Sequence, residues 1–191
     1  MDKTPASNHI QNYMHTLSEL IQRIDPAQLE SVAETLYTAW QNRQNIFCIG
    51  NGGSAATSAH FATDLSWGRN KTDQNRPRAV SLTTNTSILT ALSNDIGYDS
   101  VFCEQLKTFL EENDIVFAIS ASGNSPNVIK AIEYANSIGA ITIGLSGFSG
   151  GRMKSICQQC IHINTKQGEY ELVEDVHHAI CHMLSTYIKQ T

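Results

Sequence analysis

His60 and Asp64 stand four residues apart in a stretch of helical periodicity, so they project from one helix face a single turn apart. Toward the other end of the chain, Glu174, Asp175, His177, His178 and His182 crowd into nine residues. Imidazole and carboxylate are ligands of a divalent metal such as zinc, and they are equally suited to proton transfer near neutral pH. Periodicity alone groups Asp175, His178 and His182, at spacings of three, four and seven. Glu174 and His182 are eight apart, about 80° around a helix, so they converge only on something wedged between them. A His–Asp pair at this spacing is by itself more often a surface contact. Two His/carboxylate helices in one small domain raise the odds of a shared site, and whether they meet is left to the fold.

A second kind of chemistry belongs to two loops. Ser120, Ser122 and Ser125 follow the apolar run Ile115–Ile119 and precede a helical pattern that starts near Asn127. Three hydroxyls plus the open N–H groups of a helix start make a neutral, donor-rich cradle for a phosphate dianion. Ser125-Pro126 also reads as an N-cap followed by proline, which assigns one serine a structural job and leaves two without one. Gly50-Asn51-Gly52-Gly53-Ser54 follows another apolar run and precedes Ala55-Ala56. Its glycines permit positive φ and close backbone approach to a ligand. It is neither a Walker loop nor G-x-G-x-x-G, so a nucleotide fingerprint is absent. Thr83–Ser87 and Asn94-Asp95-Ile96-Gly97-Tyr98 offer further polar groups to the same rim, as ordinary capping and turn chemistry would.

The elements that must position these residues are short apolar runs alternating with helical stretches. The runs are Ile46–Ile49, Ala79–Leu82, Ile115–Ile119, Ile141–Leu145 and Cys160–Ile163; helical patterns cover Ala55–Trp67, Ser87–Asn94, Ser100–Leu110, Asn127–Ser137 and about Glu169–Lys189. Strands apolar on both sides, alternating with helices, predict a parallel sheet covered on two faces, with ligands at the carboxyl ends of the strands. Two further helices come first. Ile10, Tyr13, Met14, Leu17, Leu20, Ile21 and Ile24 form one apolar stripe, and Leu29, Val32, Ala33, Leu36 and Trp40 the next, opened by Asp25-Pro26. The first stripe suits either a subunit contact or packing on its own domain. The expected organisation is residues 1–44 as N-terminal helices on the sheet and the oligomer interface, and 45–191 as one phosphosugar-binding unit.

The bulk composition narrows the partners. A chain of 191 residues with 41% hydrophobic residues and no fixed-period repeat fits one folded domain. The formal charge of −5 comes without a basic block, which disfavours nucleic acid but leaves a small anion open to a local pocket. No run approaches the length of a membrane span and the N-terminus opens no apolar leader, so the default expectation is a cytoplasmic protein. Cys48, Cys103, Cys157, Cys160 and Cys181 are an odd, scattered set that suits reduced thiols. Cys157-x-x-Cys160 has no second pair, and a structural role is expected of it.

Taken together, Gly50-Asn51-Gly52-Gly53-Ser54-Ala55, His60-Phe61-Ala62, Asn94-Asp95-x-Gly97, Ser122-Gly123-Asn124-Ser125-Pro126-Asn127-Val128, Gly147–Gly151 and Asp175-x-His177-x4-His182 resemble the sugar isomerase (SIS) domain family. The similarity is strongest to its phosphoheptose isomerases and runs over nearly the whole chain. The resemblance implies an α/β three-layer sandwich with a five-stranded parallel sheet, a homotetramer with sites at subunit interfaces, and conversion of sedoheptulose 7-phosphate to an aldose phosphate. By the same resemblance Asn51, Gly52, Gly53, Asn94, Asp95 and Glu174 line the sugar. Ser120, Ala121, Ser122 and Ser125 hold the phosphate with Ser54 close by, and His60, Asp64, Glu174 and His182 hold one zinc per subunit.

This chain departs from that pattern at named positions. It has Asp64 where the family usually has Glu, Glu174 where it has Gln, and Ala121 where a threonine is common in the phosphate loop. One extra residue, Trp67, separates Asp64 from Gly68-Arg69, so Arg69 is given no role. Aspartate is one methylene shorter, which displaces a carboxylate by about 1 Å, enough to cost around a hundredfold in rate where geometry is tight. Asp64 or Glu174 is then the expected base at the carbon next to the carbonyl, and His182 the acid–base at the sugar oxygens through an enediol. The competing readings are a non-catalytic relative that binds the bacterial replication initiator, an isomerase of another phosphosugar, and a phosphosugar-sensing regulator.

Overall fold

Two helices with proline in their first turn begin the chain. In the computed structural model, which describes residues 4–67 and 76–190, α1 spans Pro5–Gln22 and α2 spans Pro26–Gln41. The Thr4 hydroxyl accepts from the Ser7 N–H and the Asp25 carboxylate from the Ala27 N–H, so each helix start has an orphan donor satisfied. Arg69 lies outside the described residues.

Five strands follow among the described residues: β1 (Asn45–Gly50), β2 (Arg78–Ser81), β3 (Ile115–Ser120), β4 (Ile141–Ser146) and β5 (Gln159–His162). Between and after them come α3 (Gly52–Ser66), α4 (Thr86–Asp95), a 3₁₀ turn (Tyr98–Ser100), α5 (Val101–Phe109), α6 (Pro126–Ile138), α7 (Met153–Ile156) and α8 (Tyr170–Gln190). All strand pairs are parallel, in the order β2-β1-β3-β4-β5. The five expected strands are all present. The four-residue α7 is too short to show a helical period, and Gly97 at φ +113 separates α4 from the 3₁₀ turn that leads into α5.

Alternation along the strands builds two cores. Ile46, Cys48, Ile115, Phe117 and Ile119 face one side with Phe61 and Leu65 of α3, Leu36 and Trp40 of α2, and Ile180 and Leu184 of α8. Phe47, Ile49, Val116 and Ala118 face the other, with Phe102 and Leu106 of α5 and Val128 and Ile132 of α6. Each such side chain contributes about 1.5–3 kcal/mol when fully buried, so the middle of the sheet is held from both faces. The edge strand β2 departs from the expected two-sided cover: Val80 is 44% exposed. One of its faces is closed by α3 through Ser81, whose hydroxyl meets that of Ser58 at 2.9 Å.

The strand order determines where a ligand belongs. From β1 the chain crosses to β2 on one side, and from β3 it proceeds to β4 and β5 on the other. The loops after β1 and β3 therefore diverge at a topological switch point, and leave a crevice at the carboxyl ends of the strands.

Candidate functional site

The two diverging loops are tied across that crevice. Asn51 and Asn127 exchange reciprocal side-chain amide bonds of 2.8 and 2.9 Å, and the Tyr98 hydroxyl donates to the Asn51 Oδ1 at 2.8 Å. Asn51 stands at the N-cap of α3 yet makes no capping bond, because its side chain is used in this bridge. The helix starts at Gly52, three residues earlier than the run at Ala55 suggests. Gly52 has φ +54, and a Cβ on Gly50 would lie 2.6 Å from the Ser54 carbonyl oxygen, so the turn requires glycine at both positions. Ser54 is buried in the first turn of α3.

Across the crevice, the three serines of the second loop face one another. The Ser120 hydroxyl lies 3.4 Å from that of Ser122 and 3.2 Å from that of Ser125. Ser120 and Ser122 also accept from the backbone N–H groups of Gly123 and Asn124, at 3.2 Å each. Ser125 occupies the N-cap position of α6 but makes no capping bond; its hydroxyl is directed to Ser120 instead, so all three hydroxyls and two N–H groups belong to one donor cluster. That is the chemistry that receives a phosphate at a helix start. Gly123 at φ +63 allows the loop to press on the neighbouring one, where a Cβ would come within 2.1 Å of the Gly150 carbonyl oxygen. The brace is completed by Gly147 N–H to Ala121 O at 2.9 Å and Met153 N–H to Gly123 O at 3.0 Å. Ala121 supplies no hydroxyl: its methyl packs with Phe148 and Val173 in a small apolar cluster.

That cluster places the start of α8 at the site. Glu174, next to Val173, lays its carboxylate on Gly53, where a Cβ would meet Oε2 at 2.2 Å. Burial holds the Glu174 carboxyl above its ordinary value, and the charges of Glu171 and Asp175 push the same way. Asp175 is drawn off by α1, accepting from the Tyr13 hydroxyl at 2.7 Å. Asn94 and Asp95 are exposed at the end of α4 and bonded to each other at 2.9 Å.

Further along, α3 and α8 bring together three imidazoles. Donor atoms of His60, His178 and His182 all lie within 4.8 Å of one another, and the Nε2 atoms of His60 and His182 are 3.2 Å apart. The Asp64 Oδ2 is 3.5 Å from the first of these and 3.7 Å from the second. Two nitrogens that share a tetrahedral zinc at 2.0–2.1 Å stand about 3.3–3.4 Å apart, so His60, Asp64 and His182 fit a divalent ion. Lys189 and Ser185 donate to the two oxygens of Asp64 at 3.2 and 3.3 Å, which orients the carboxylate as outer partners of ligands do. Burial, then His182 and His60, lowers the pKa of His178, which favours the neutral imidazole that binds metal. Of the four ligands implied by resemblance, the fold brings three together; Glu174 lies with the glycine turn. His178 was visible in the helical period with His182, while Lys189, Ser185, Tyr98 and Asn127 carry no spacing signal that reveals their contacts.

An open parallel sheet with a hydroxyl-lined anion cradle at its switch point is the frame of a phosphate-binding α/β domain. The chain belongs to the SIS domain family, which matches residues 11–147. It is 36% identical over 176 residues to a phosphoheptose isomerase of Aliarcobacter butzleri, covering 90% of this chain and 91% of that protein. A phosphoheptose isomerase of Aneurinibacillus thermoaerophilus is 36% identical over 184 residues, covering 96% and 91%. Among solved structures, phosphoheptose isomerase GmhA from Neisseria gonorrhoeae superposes with a TM-score of 0.86 at 29% identity, covering 97% of each chain.

Proposed function

We propose that this chain is a phosphosugar isomerase that interconverts sedoheptulose 7-phosphate and glycero-manno-heptose 7-phosphate through an enediol. One observation carries the reading: a hydroxyl cradle and a carboxylate of raised pKa meet at one switch point, in a chain 36% identical over 90% of its length to a phosphoheptose isomerase. Ser120, Ser122 and Ser125, with the N–H groups at the start of α6, hold the phosphate. Asn51, Gly52, Gly53, Ser54, Asn94 and Asp95 line the sugar.

Glu174 takes a proton from C1 of the ketose and returns it to C2, the carbon that was the carbonyl. Its raised pKa makes it a stronger base than an ordinary carboxylate. Asp64 is held instead by Lys189 and Ser185. His182 exchanges the oxygen-bound protons, giving one to O2 and then taking one from O1, so its charge is restored at the end of the cycle. Its Nε2 faces His60 and Asp64, which leaves Nδ1 as the nitrogen that moves protons. A zinc ion held by His60, Asp64 and His182 would polarise the carbonyl and offset the charge of the enediolate. The ordering of the sugar is therefore shared between the two ends of the crevice. A homotetramer in the cytoplasm completes the reading: Ile10 and Met14 on α1 are 55% and 65% exposed, an apolar pair that a subunit contact would bury.

The test is incubation of the purified protein with sedoheptulose 7-phosphate, with zinc and with a chelator, following aldose formation. Turnover that the chelator suppresses is expected. No aldose in either condition, with turnover of a different ketose phosphate, overturns the heptose assignment.

A further inference from the structure

The fourth ligand of the metal site deserves a different residue from the one the family pattern supplies. Residue 174 is the position at which the usual set takes its remaining ligand, yet here its carboxylate lies on Gly53. Gly53 precedes His60 by seven residues on α3, about 10 Å along the helix axis. The carboxylate is thus displaced from the imidazoles toward the sugar end of the crevice. His178 sits on α8 one turn after Glu174 and one turn before His182, about 6 Å along the axis from each. Its ring centroid lies 4.7 Å from that of His60 and 4.5 Å from that of His182.

We infer that His178 is a metal ligand of this chain, completing a site of three imidazoles and one carboxylate with His60, His182 and Asp64, and that Glu174 is released from the metal to face the substrate. This rests on the zinc-dependent reading above. The donor set is chemically sound: three neutral imidazoles and a carboxylate are ordinary zinc ligands, the three imidazoles are mutually close, and Asp64 stands beside two of them. It also accounts for the glutamate at 174. A glutamate there can act as a base only when it is not spent on the metal, and the imidazole at 178 takes the place of the ligand that is lost.

The experiment is X-ray absorption at the zinc edge on the zinc-loaded wild-type protein, with zinc affinity measured by competition against a chromophoric chelator for wild type, His178→Gln and Glu174→Gln. Multiple-scattering features of three imidazoles are expected in the wild type. His178→Gln reduces the count to two and weakens binding at least about tenfold, since loss of an outer-shell partner already costs 10–100-fold. Glu174→Gln leaves count and affinity unchanged. Two imidazoles in the wild-type spectrum, or an affinity that falls with Glu174→Gln and not with His178→Gln, overturns the assignment while leaving zinc in place. A wild-type protein that takes up no zinc overturns the metal reading and the ligand assignment together. The wild-type spectrum decides the matter even if a variant fails to fold.

Discussion

Gly53→Ala separates catalysis from folding. Gly53 is in the first turn of α3 and its φ is not positive, so alanine suits the backbone and adds between zero and about 1 kcal/mol of helix stability. The added Cβ would lie 2.2 Å from the Glu174 Oε2 and 2.5 Å from Oε1. Ordinary contact begins at 3.4 Å, so the carboxylate must retreat by 3.4 − 2.2 = 1.2 Å. It sits at the end of a flexible side chain, so it can move at small cost to the fold. A 1 Å misplacement of a reacting group costs about a hundredfold, and a drop of that order in kcat is expected with a melting temperature unchanged or raised by a few degrees. Aldose formation from sedoheptulose 7-phosphate and a thermal melt read the two quantities. Shortening the partner should relieve the collision: Gly53→Ala with Glu174→Asp is expected to lose less than the product of the two single losses. An unchanged kcat refutes the placement of Glu174 as base. So does a loss matched by a fall in melting temperature.

Three other outcomes follow from the same geometry. Deleting the central hydroxyl with Ser120→Ala removes a group that faces Ser122, Ser125 and the Gly123 N–H. It should cost about 1.5–3 kcal/mol in phosphate binding, read as a rise of roughly 10- to 150-fold in KM with little change in kcat. Glu171 helps raise the Glu174 pKa, so Glu171→Gln should shift the acid limb of kcat/KM to lower pH, as a base must be deprotonated to act. His177 is fully buried, which lowers its pKa from 6.5 to about 4; neither ring nitrogen has a well-formed hydrogen bond, and the Ser146 backbone compensates only in part. The unfolded chain takes up this proton below about 6.5 and the folded chain only near 4. Stability from this group is therefore full above pH 6.5 and falls by about 3 kcal/mol on acidification to pH 4. Urea melts at pH 7.5 and 4.5 should show a larger difference for wild type than for His177→Gln.

The sheet was legible in the sequence because each strand is a short apolar run ended by small polar residues, and Phe117 and its neighbours are apolar on both faces. The edge strand was not distinguishable from the others: Ala79-Val80 reads as buried, and only the strand order exposes Val80. Local cues predicted a cap at Ser125, yet its hydroxyl turns to Ser120 across the loop. Contacts between distant segments left no local trace. Asn51 and Asn127 are 76 residues apart, and His60 and His182 are 122 apart; the period of α8 aligned His178 with His182 but could not say which helix they would meet. The position of Glu174 was ambiguous for a different reason. Eight residues from His182, it could face the metal or the sugar, and the choice rests on the missing side chain of Gly53.

Running the reaction in deuterium oxide and taking the proton spectrum of the aldose product tests proton transfer by Glu174 through an enediol most directly. A proton held by a carboxylate exchanges with solvent in competition with its delivery to C2, so part of the glycero-manno-heptose 7-phosphate formed should carry deuterium at C2. An aldose with protium retained fully at C2, or no aldose from sedoheptulose 7-phosphate at all, would contradict it.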